Sequence, residues 1–385
     1  MKQAPDSEPT KIFVAGVGLR GSGYPNAWNT IRILRAQNDL ETVECGKWLP
    51  EEFRLWRFTK QPHLKAAFQF ASLLFANALS VVKLLRLNRS RSITYVPYPG
   101  IFLLWLVSWI PARWRPRCVC DAYVSIWDTL YQDRKMGSAT SFVANFLLRC
   151  ESRALKAAEI VLVDTEANAE HVSELFNVPR ARIRAFPLAL EISGCKVPPA
   201  VARHGRTTRV LFIGTFVPLQ GATLIARAID ALRGHEDLEF LIIGDGQQAE
   251  EAARWLRAHP GVRWWRDWQS PEVLADELAQ ADICLGVFGG GGKASRVLPF
   301  KLYLAMAAGK AIITQEAYGT PGTPAIPALV VPPVADALKA AILDLASNRD
   351  ERARLEQAAA TYYREYLGEN AIARAWRSLL TELRT

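Results

Sequence analysis

Between Phe53 and Cys120 this 385-residue sequence contains no aspartate or glutamate, although the same stretch carries eleven of its 47 lysines and arginines. The formal net charge of +9 is therefore concentrated rather than spread, which implies a surface for an anionic partner. Cysteine is sparse and scattered: positions 45, 118, 120, 150, 195 and 284 make no C-x-x-C pair, which argues against a zinc site or a disulfide framework and for buried thiols. The chain shows no basic-then-apolar leader at its start, so it is expected to be cytosolic. Internal repeats and Pro/Gly/Ser low-complexity tracts are also missing, which excludes a solenoid or a disordered scaffold. Its apolar share of 50% is that of a globular protein.

What is present is two series of strands alternating with helices, enough chain for two domains with full cores. In the first series the strands are KIFVAG (11 to 16), ITYVPYPG (93 to 100), RCVCDAYVSI (117 to 126) and EIVLVDT (159 to 165). Helical periodicity falls at 26 to 37, 64 to 87 and 141 to 158. Periodicity lapses into a Pro/Gly-rich basic stretch at 194 to 209, read as the linker. The second series has strands VLFIG (210 to 214), EFLIIGDG (239 to 246), VRWWRDW (262 to 268), ADICLGVF (281 to 288) and LVVPP (329 to 333), with VLPFKLYLAMAAGKAII (297 to 313) as loop, helix, Gly stop and buried strand. Such alternation implies α/β domains with parallel sheets covered on both faces. The expected division is a first domain over 1–195, a second over 196–365, and a C-terminal helix in 366–385 that crosses back to the first.

Gly16, Gly18 and Gly21 spell G-x-G-x-x-G directly after the first strand, as in dinucleotide-binding turns. Glu41 and Glu44 lie near the spacing of the acid that would hold a ribose, but the GKWLPEEFRLWRF that follows is no helix to complete a cofactor unit. An NAD-linked oxidoreductase is the minor reading of this motif. The major one is a turn that leaves room for a sugar.

The order of blocks in the second half (VLFIG, TFVPLQG, EFLIIGDG, ADICLGVF, then loop, Pro, Lys, apolar helix and Gly-Lys) resembles the family-4 retaining glycosyltransferases of GT-B architecture. The stretch DAYVSIWDTLYQDRK and the following AAEIVLVDTEANAEHV are similar to the first-domain ending of bacterial polysaccharide members, so the resemblance covers nearly the whole chain. It implies two Rossmann-like doubly wound parallel-sheet domains facing across a cleft, a nucleotide-sugar on the second and an acceptor on the first. It also implies a hexosyl transfer with retention that needs no cofactor or metal.

Two departures from the family stand out. The helix glutamate three residues after Lys301, which holds the ribose in relatives, is Leu304 here. The Arg/Lys pair that clamps the donor diphosphate is replaced by Thr215 or Phe216 and by Gln220. The donor site that the resemblance then implies comprises Gly214, Thr215, Gln220, Gly244, Phe288, the four glycines Gly289, Gly290, Gly291 and Gly292, and the cations Lys293, Arg296 and Lys301. Exposed backbone N–H groups and a helix N-terminus near Pro299 would assist the cations. Either the pocket has been rebuilt around Lys293, Arg296 and Lys301, or donor binding has been lost and the chain is a non-catalytic scaffold of polysaccharide assembly.

For the reaction centre the expected residues are Asp121 at a strand end, with Gly18, Arg20 and Lys135, and for the acceptor Ser22, Gly23, Tyr24 and Asp128. The histidines (63, 171, 204, 235 and 259) fall in helices or loops and none matches the catalytic-region histidine of relatives. The protein's task is then mainly to position the partners and to stabilise charge on the leaving diphosphate.

The acid-free stretch fits an acceptor held at an anionic membrane surface. Helix 64 to 87, with Phe68, Phe70, Leu73, Leu74 and Phe75, is interrupted by Gln69, Ser72, Asn77 and Ser80, and the run 101 to 110 is too short to span a bilayer. Both are expected to lie in the interface, on the inner face of the plasma membrane, with basic ends on headgroups. Trp56, Trp105, Trp109 and Trp114 sit in apolar runs with no recognition fold around them, so nucleic acid is not an expected partner.

Overall fold

The computed structural model describes residues 9–20, 25–50, 63–88, 92–133, 137–190, 207–267 and 269–384. Two compact units divide the chain: Met1–Leu190 with Ile372–Thr385, and Glu191–Ala371. Each is built on a six-stranded, all-parallel sheet.

In the first unit the sheet strands are β1 (Thr10–Val14), β3 (Leu40–Glu44), β5 (Thr94–Val96), β6 (Cys118–Asp121), β7 (Ile160–Val163) and β8 (Ile183–Ala185), in the order β3-β1-β5-β6-β7-β8. A small parallel pair, β2 (Val17–Gly18) on β4 (Lys47–Trp48), extends the turn after β1. The strands called from the sequence are shorter than expected, because apolar residues beyond Val96 and Asp121 belong to loops. Two edge-side strands, β3 and β8, escaped the sequence reading.

One face of this sheet is covered by helices α2 (His63–Leu87), α3 (Ile101–Val107), α4 (Phe142–Ala157) and α5 (Glu166–Phe176), whose inward residues form one cluster with Phe13, Val96, Cys120 and Val161. The other face is covered by α1 (Pro25–Arg35) and α12 (Glu369–Glu382), which bury Ile31, Leu34, Trp376 and Leu380 against Ile12, Tyr95 and Val119. Local sequence sets these helix starts. Ser141 accepts the N–H of Ala144, and Thr165 accepts that of Asn168.

Helix α2 is two-faced. Leu73, Asn77, Ser80, Val81 and Leu84, at helical spacing, are buried against the sheet, while Phe68, Phe75, Leu79 and Val82 are exposed. Leu73, expected at the interface with its neighbours, is thus part of the core. The polar residues that interrupt the apolar run have a purpose here: Ser80 Oγ accepts the N–H of Gly16 at 2.7 Å and Asn77 Oδ1 that of Val17 at 3.2 Å.

The second unit has strands β9 (Thr208–Ile213), β10 (Leu238–Ile243), β11 (Val262–Trp265), β12 (Ile283–Leu285), β13 (Ala311–Gln315) and β14 (Leu329–Val331) in the order β11-β10-β9-β12-β13-β14. Its helices are α6 (Ala222–Asp230), α7 (Ala249–Leu256), α8 (Pro271–Gln280), α9 (Phe300–Ala307), α10 (Ala335–Ser347) and α11 (Arg349–Tyr362). The chain order reverses between β9 and β12. In an open parallel sheet, loops leaving the carboxyl ends of strands diverge at such a point and leave a crevice for a ligand.

Candidate functional site

The two loops that flank this reversal are Gly214–Gly221, after β9, and Gly286–Gly292, after β12. They are pressed together so closely that side chains are excluded: a Cβ on Gly221 (φ +68°) would meet the Phe288 carbonyl at 2.4 Å, and one on Gly289 the Leu219 carbonyl at 2.4 Å. The Phe288 N–H donates to the Gln220 carbonyl at 3.1 Å, and Gly290 is gripped by Gln315, which accepts its N–H at 2.9 Å and donates to its carbonyl at 2.8 Å. Gln315, at the end of β13, was not singled out in the sequence; only register across the sheet brings it to the glycine loop.

Gly244, at the end of β10, has φ +133°, and a Cβ there would meet the Gly214 carbonyl at 1.8 Å. Gly291 and Gly292 are exposed, and Gly290 and Gly292 adopt positive φ with open space around them. Backbone is therefore presented to solvent next to Lys293, in the loop that leads into α9. Lys293 and Arg296 are half-buried and Thr215 is exposed.

The centre of the site is Lys301. It stands in the first turn of α9, whose start is set by Pro299, and its side chain reaches back to the carboxyl end of β9. There the ammonium donates to Gln220 Oε1 and lies 3.9 Å from the centroid of the Phe212 ring. It takes the place that a Cβ on Gly214 would need, 2.8 Å from it. Burial pushes the Lys301 pKa well below the ordinary lysine value, and among the described residues no carboxylate counteracts that shift. Gln220 fits this arrangement, since a lysine at 220 would bring two ammonium groups into contact. Phe216, the other residue at the altered position, is buried and stacked on Trp264 at 5.4 Å with the rings 8° apart.

In the first unit, Asp121 ends β6 and is 2% exposed. Its Oδ2 accepts from Asn26 Nδ2 at 2.9 Å and from the Tyr95 hydroxyl at 3.0 Å, and the Asn26 amide oxygen accepts the Ala189 N–H at 2.7 Å. The carboxyl thus braces α1, β5 and β6 at the carboxyl ends of the central strands. Burial raises its pKa to about 6 against these stabilising hydrogen bonds.

Asp128 is buried at the start of a π-helical turn, Asp128–Asp133, with His171 Nε2 of α5 3.5 Å from its carboxylate. The segment before it is held by Glu151 of α4, which accepts the N–H groups of Ile126 and Trp127, both at 3.0 Å, and whose pKa burial lifts to about 7. Neither Glu151 nor the His171 contact was legible in the sequence, because each partner comes from a helix distant along the chain.

The first two glycines of the motif after β1, Gly16 and Gly18, are closed in. The N–H groups of Gly16 and Val17 are taken by α2, and a Cβ on Gly18 would strike Trp48 at 2.6 Å, so this turn offers no N–H cradle there for a pyrophosphate. Arg20 is exposed, with its guanidinium 5.4 Å from the Trp28 ring. Gly21, Ser22, Gly23, Tyr24 and Lys135 lie outside the described residues. Among the described residues no group of three or more His, Cys, Asp or Glu is placed to hold a metal ion.

Comparison with known proteins fits this division. A family model described as glycosyl transferases group 1 matches residues 207–348, and one described as a glycosyl transferase 4-like domain matches residues 31–189. No curated protein matches the sequence.

Among solved structures, HepE of Anabaena in complex with UDP and glucose is similar with a TM-score of 0.64 and 13% identity, covering 97% of this chain and 100% of that one. A glycosyltransferase from Rickettsia africae has a TM-score of 0.62 and 12% identity over 98% and 100% of the two chains. The UDP-forming α,α-trehalose-phosphate synthase of Burkholderia xenovorans, in complex with glucose-6-phosphate, has a TM-score of 0.63 and 12% identity over 97% and 100%. At these identities the likeness is one of fold, and the fold is GT-B. A glycosyltransferase family model thus matches the greater part of each half of the chain, and the fold that carries both halves is GT-B.

Proposed function

We propose that this protein transfers a hexosyl group from a nucleotide-sugar, with retention of configuration, to a lipid-linked or polysaccharide acceptor at a membrane surface. The observation that carries the reading is Lys301: a partly buried ammonium at the reversal of the strand order, held by an amide oxygen and an aromatic ring, with no carboxylate to balance it among the described residues. Such a group favours an incoming diphosphate, and the exposed glycines 291 and 292 supply backbone beside it. HepE, which has the same fold, holds UDP and glucose. The rebuilt pocket is favoured over the lost one because Gln220, in place of a lysine, accommodates Lys301.

Transfer with retention asks little of side-chain acid/base chemistry, since the leaving diphosphate can take the acceptor proton on the same face. Asp121 then serves by positioning Asn26 and the start of α1, and Asp128 by its place beside His171. The acceptor reading rests on the acid-free stretch and on the distribution of exposed apolar side chains. Among the described residues, twelve of the fifteen exposed large hydrophobics are in the first unit, Phe68, Phe75, Trp109 and Phe142 among them. The proposed location is the inner face of the plasma membrane.

The test is calorimetric titration with UDP-, GDP- and dTDP-sugars, comparing wild type with Lys301→Met. One nucleotide-sugar should bind, and the substitution should weaken it roughly tenfold to a hundredfold, as expected for losing a charge-assisted contact. Because burial holds the free lysine's pKa below its ordinary 10.5, a bound diphosphate should raise it and binding should take up a proton between the two values. Titrations in two buffers of different ionisation enthalpy read that proton. No binding of any nucleotide-sugar by folded protein would favour the non-catalytic scaffold, and binding without proton uptake would remove Lys301 from the diphosphate site. The anomeric configuration of the product, read by NMR, tests retention.

A further inference from the structure

A second feature lies at the opposite edge of the first sheet, where the strands begin. A groove of about 660 Å³ runs between the end of α3 and the second half of α4, and its lining includes Arg115, Arg149, Arg153 and Lys156 but no acidic residue. Arg115 precedes β6 and Lys156 precedes β7, so the groove is remote along the strands from Gly16 and Asp121.

Ser108 organises two of the cations. Its carbonyl accepts from Arg115 Nη2 at 3.1 Å and its Oγ from Arg153 Nε at 2.9 Å. Arg153 also stacks over the Trp109 ring at 3.7 Å, and that indole is 62% exposed. Arg149 and Lys156 form no ion pair among the described residues and are exposed. The C-terminal end of α5 also borders the groove, and there the Phe176 carbonyl already accepts from Ser152 Oγ at 2.6 Å.

The outer stripe of α4 makes the pattern more specific. Phe142, Phe146, Arg149, Arg153 and Lys156 are spaced by four, three, four and three residues and so share one face, apolar at its start and basic at its end. Trp114, 62% exposed, carries the Arg113 guanidinium 4.3 Å from its ring. A soluble phosphate would use the cations but has no use for exposed indole and phenyl rings. A headgroup at a bilayer surface uses both, the rings in the interface and the cations on the phosphate.

We propose that this groove binds the phosphate of an anionic lipid headgroup and so orients the first unit on the membrane. The inference rests on the membrane-surface part of the functional reading and is independent of the donor site.

The experiment is sedimentation of the full chain with vesicles of phosphatidylcholine alone or with 30 mol% phosphatidylglycerol. It compares wild type with the triple substitution Arg149→Gln/Arg153→Gln/Lys156→Gln. A control triple of equal charge change in the second unit, Arg254→Gln/Arg263→Gln/Lys339→Gln, reports diffuse electrostatics. Wild type and control should bind the anionic vesicles, and the groove variant should lose roughly a hundredfold in partitioning, at about 1 kcal/mol per cation. Equal losses in both triples would overturn the groove in favour of net charge, as would a groove variant that binds like wild type. If wild type binds no vesicle, the membrane reading fails as well, while donor titration remains unaffected. Glycerol phosphate in solution should compete only weakly; thermal stabilisation by it, without vesicle binding, would assign the groove to a soluble phosphate ester and overturn the lipid source.

Discussion

Asp121 shows how one residue's environment alters what its type suggests. A carboxylate at a strand end reads as a reactive group, yet here it is enclosed and holds Asn26 and Tyr95. Its pKa of about 6, against 3.8 unfolded, means that the native state binds more protons than the unfolded one between those values. Stability contributed by the neutral form is therefore lost as pH rises through that window, and the full penalty stands above it. Asp121→Asn should then raise the melting temperature at pH 8, by an equivalent of about 3 kcal/mol at most, and leave it unchanged at pH 4. Thermal unfolding at the two pH values checks this, and a variant destabilised at pH 8 would show that the ionised carboxyl is the favoured form. Gln220 teaches a related point: from the sequence it is a missing lysine, and in the structure it is the partner of one.

At the scale of the element, α2 carries the clearest physical conflict. Its length and apolar content are those of a membrane-spanning helix over Ala67–Leu87, but its inward face packs on the sheet and two of its polar residues cap the turn after β1. Ser80→Ala leaves the buried Gly16 N–H without its acceptor, a loss of about 1–3 kcal/mol. Urea unfolding should show that loss, with faster amide exchange at Gly16 and unchanged helix content by circular dichroism. Stability within about 0.5 kcal/mol of wild type, the range of an ordinary surface substitution, would mean that this bond does not hold the turn. The outward face is a separate matter. Its phenylalanines and leucines contribute nothing to the core and remain available to a membrane.

For the whole molecule the decisive element is α12, which follows the second unit in sequence and belongs to the first. Trp376 is 1% exposed and packs edge-on against Tyr95 at 5.4 Å, while Ile372, Leu379 and Leu380 cover the same sheet face. Removing four such side chains forfeits on the order of 10 kcal/mol, comparable with the total stability of a domain. A chain ending at Ala371 should therefore lose the first unit's cooperative unfolding transition and keep that of the second. Differential scanning calorimetry would resolve the two, and two retained transitions would show that α12 is dispensable.

Sequence alone sufficed for the alternating α/β pattern, the two sheets and the buried strands such as Ile160–Val163, because a strand buried on both faces must be continuously apolar whatever surrounds it. It also sufficed for Lys301 as a residue to examine, through its place at the start of an apolar helix. It did not show β3, where Leu40–Glu44 reads Leu-Glu-Thr-Val-Glu with no period-two alternation and lies at a sheet edge, nor the three-residue β8, since short edge strands carry little periodic signal. Only the tertiary structure decided which backbone groups were already satisfied: the Gly16 turn by α2, the Gly290 loop by Gln315, and the Ile126–Trp127 segment by Glu151. Periodicity records which face of a segment avoids water. The partner of a polar group lies 24 to 64 residues away in these cases, and only the packing of the elements brings the two within hydrogen-bond distance.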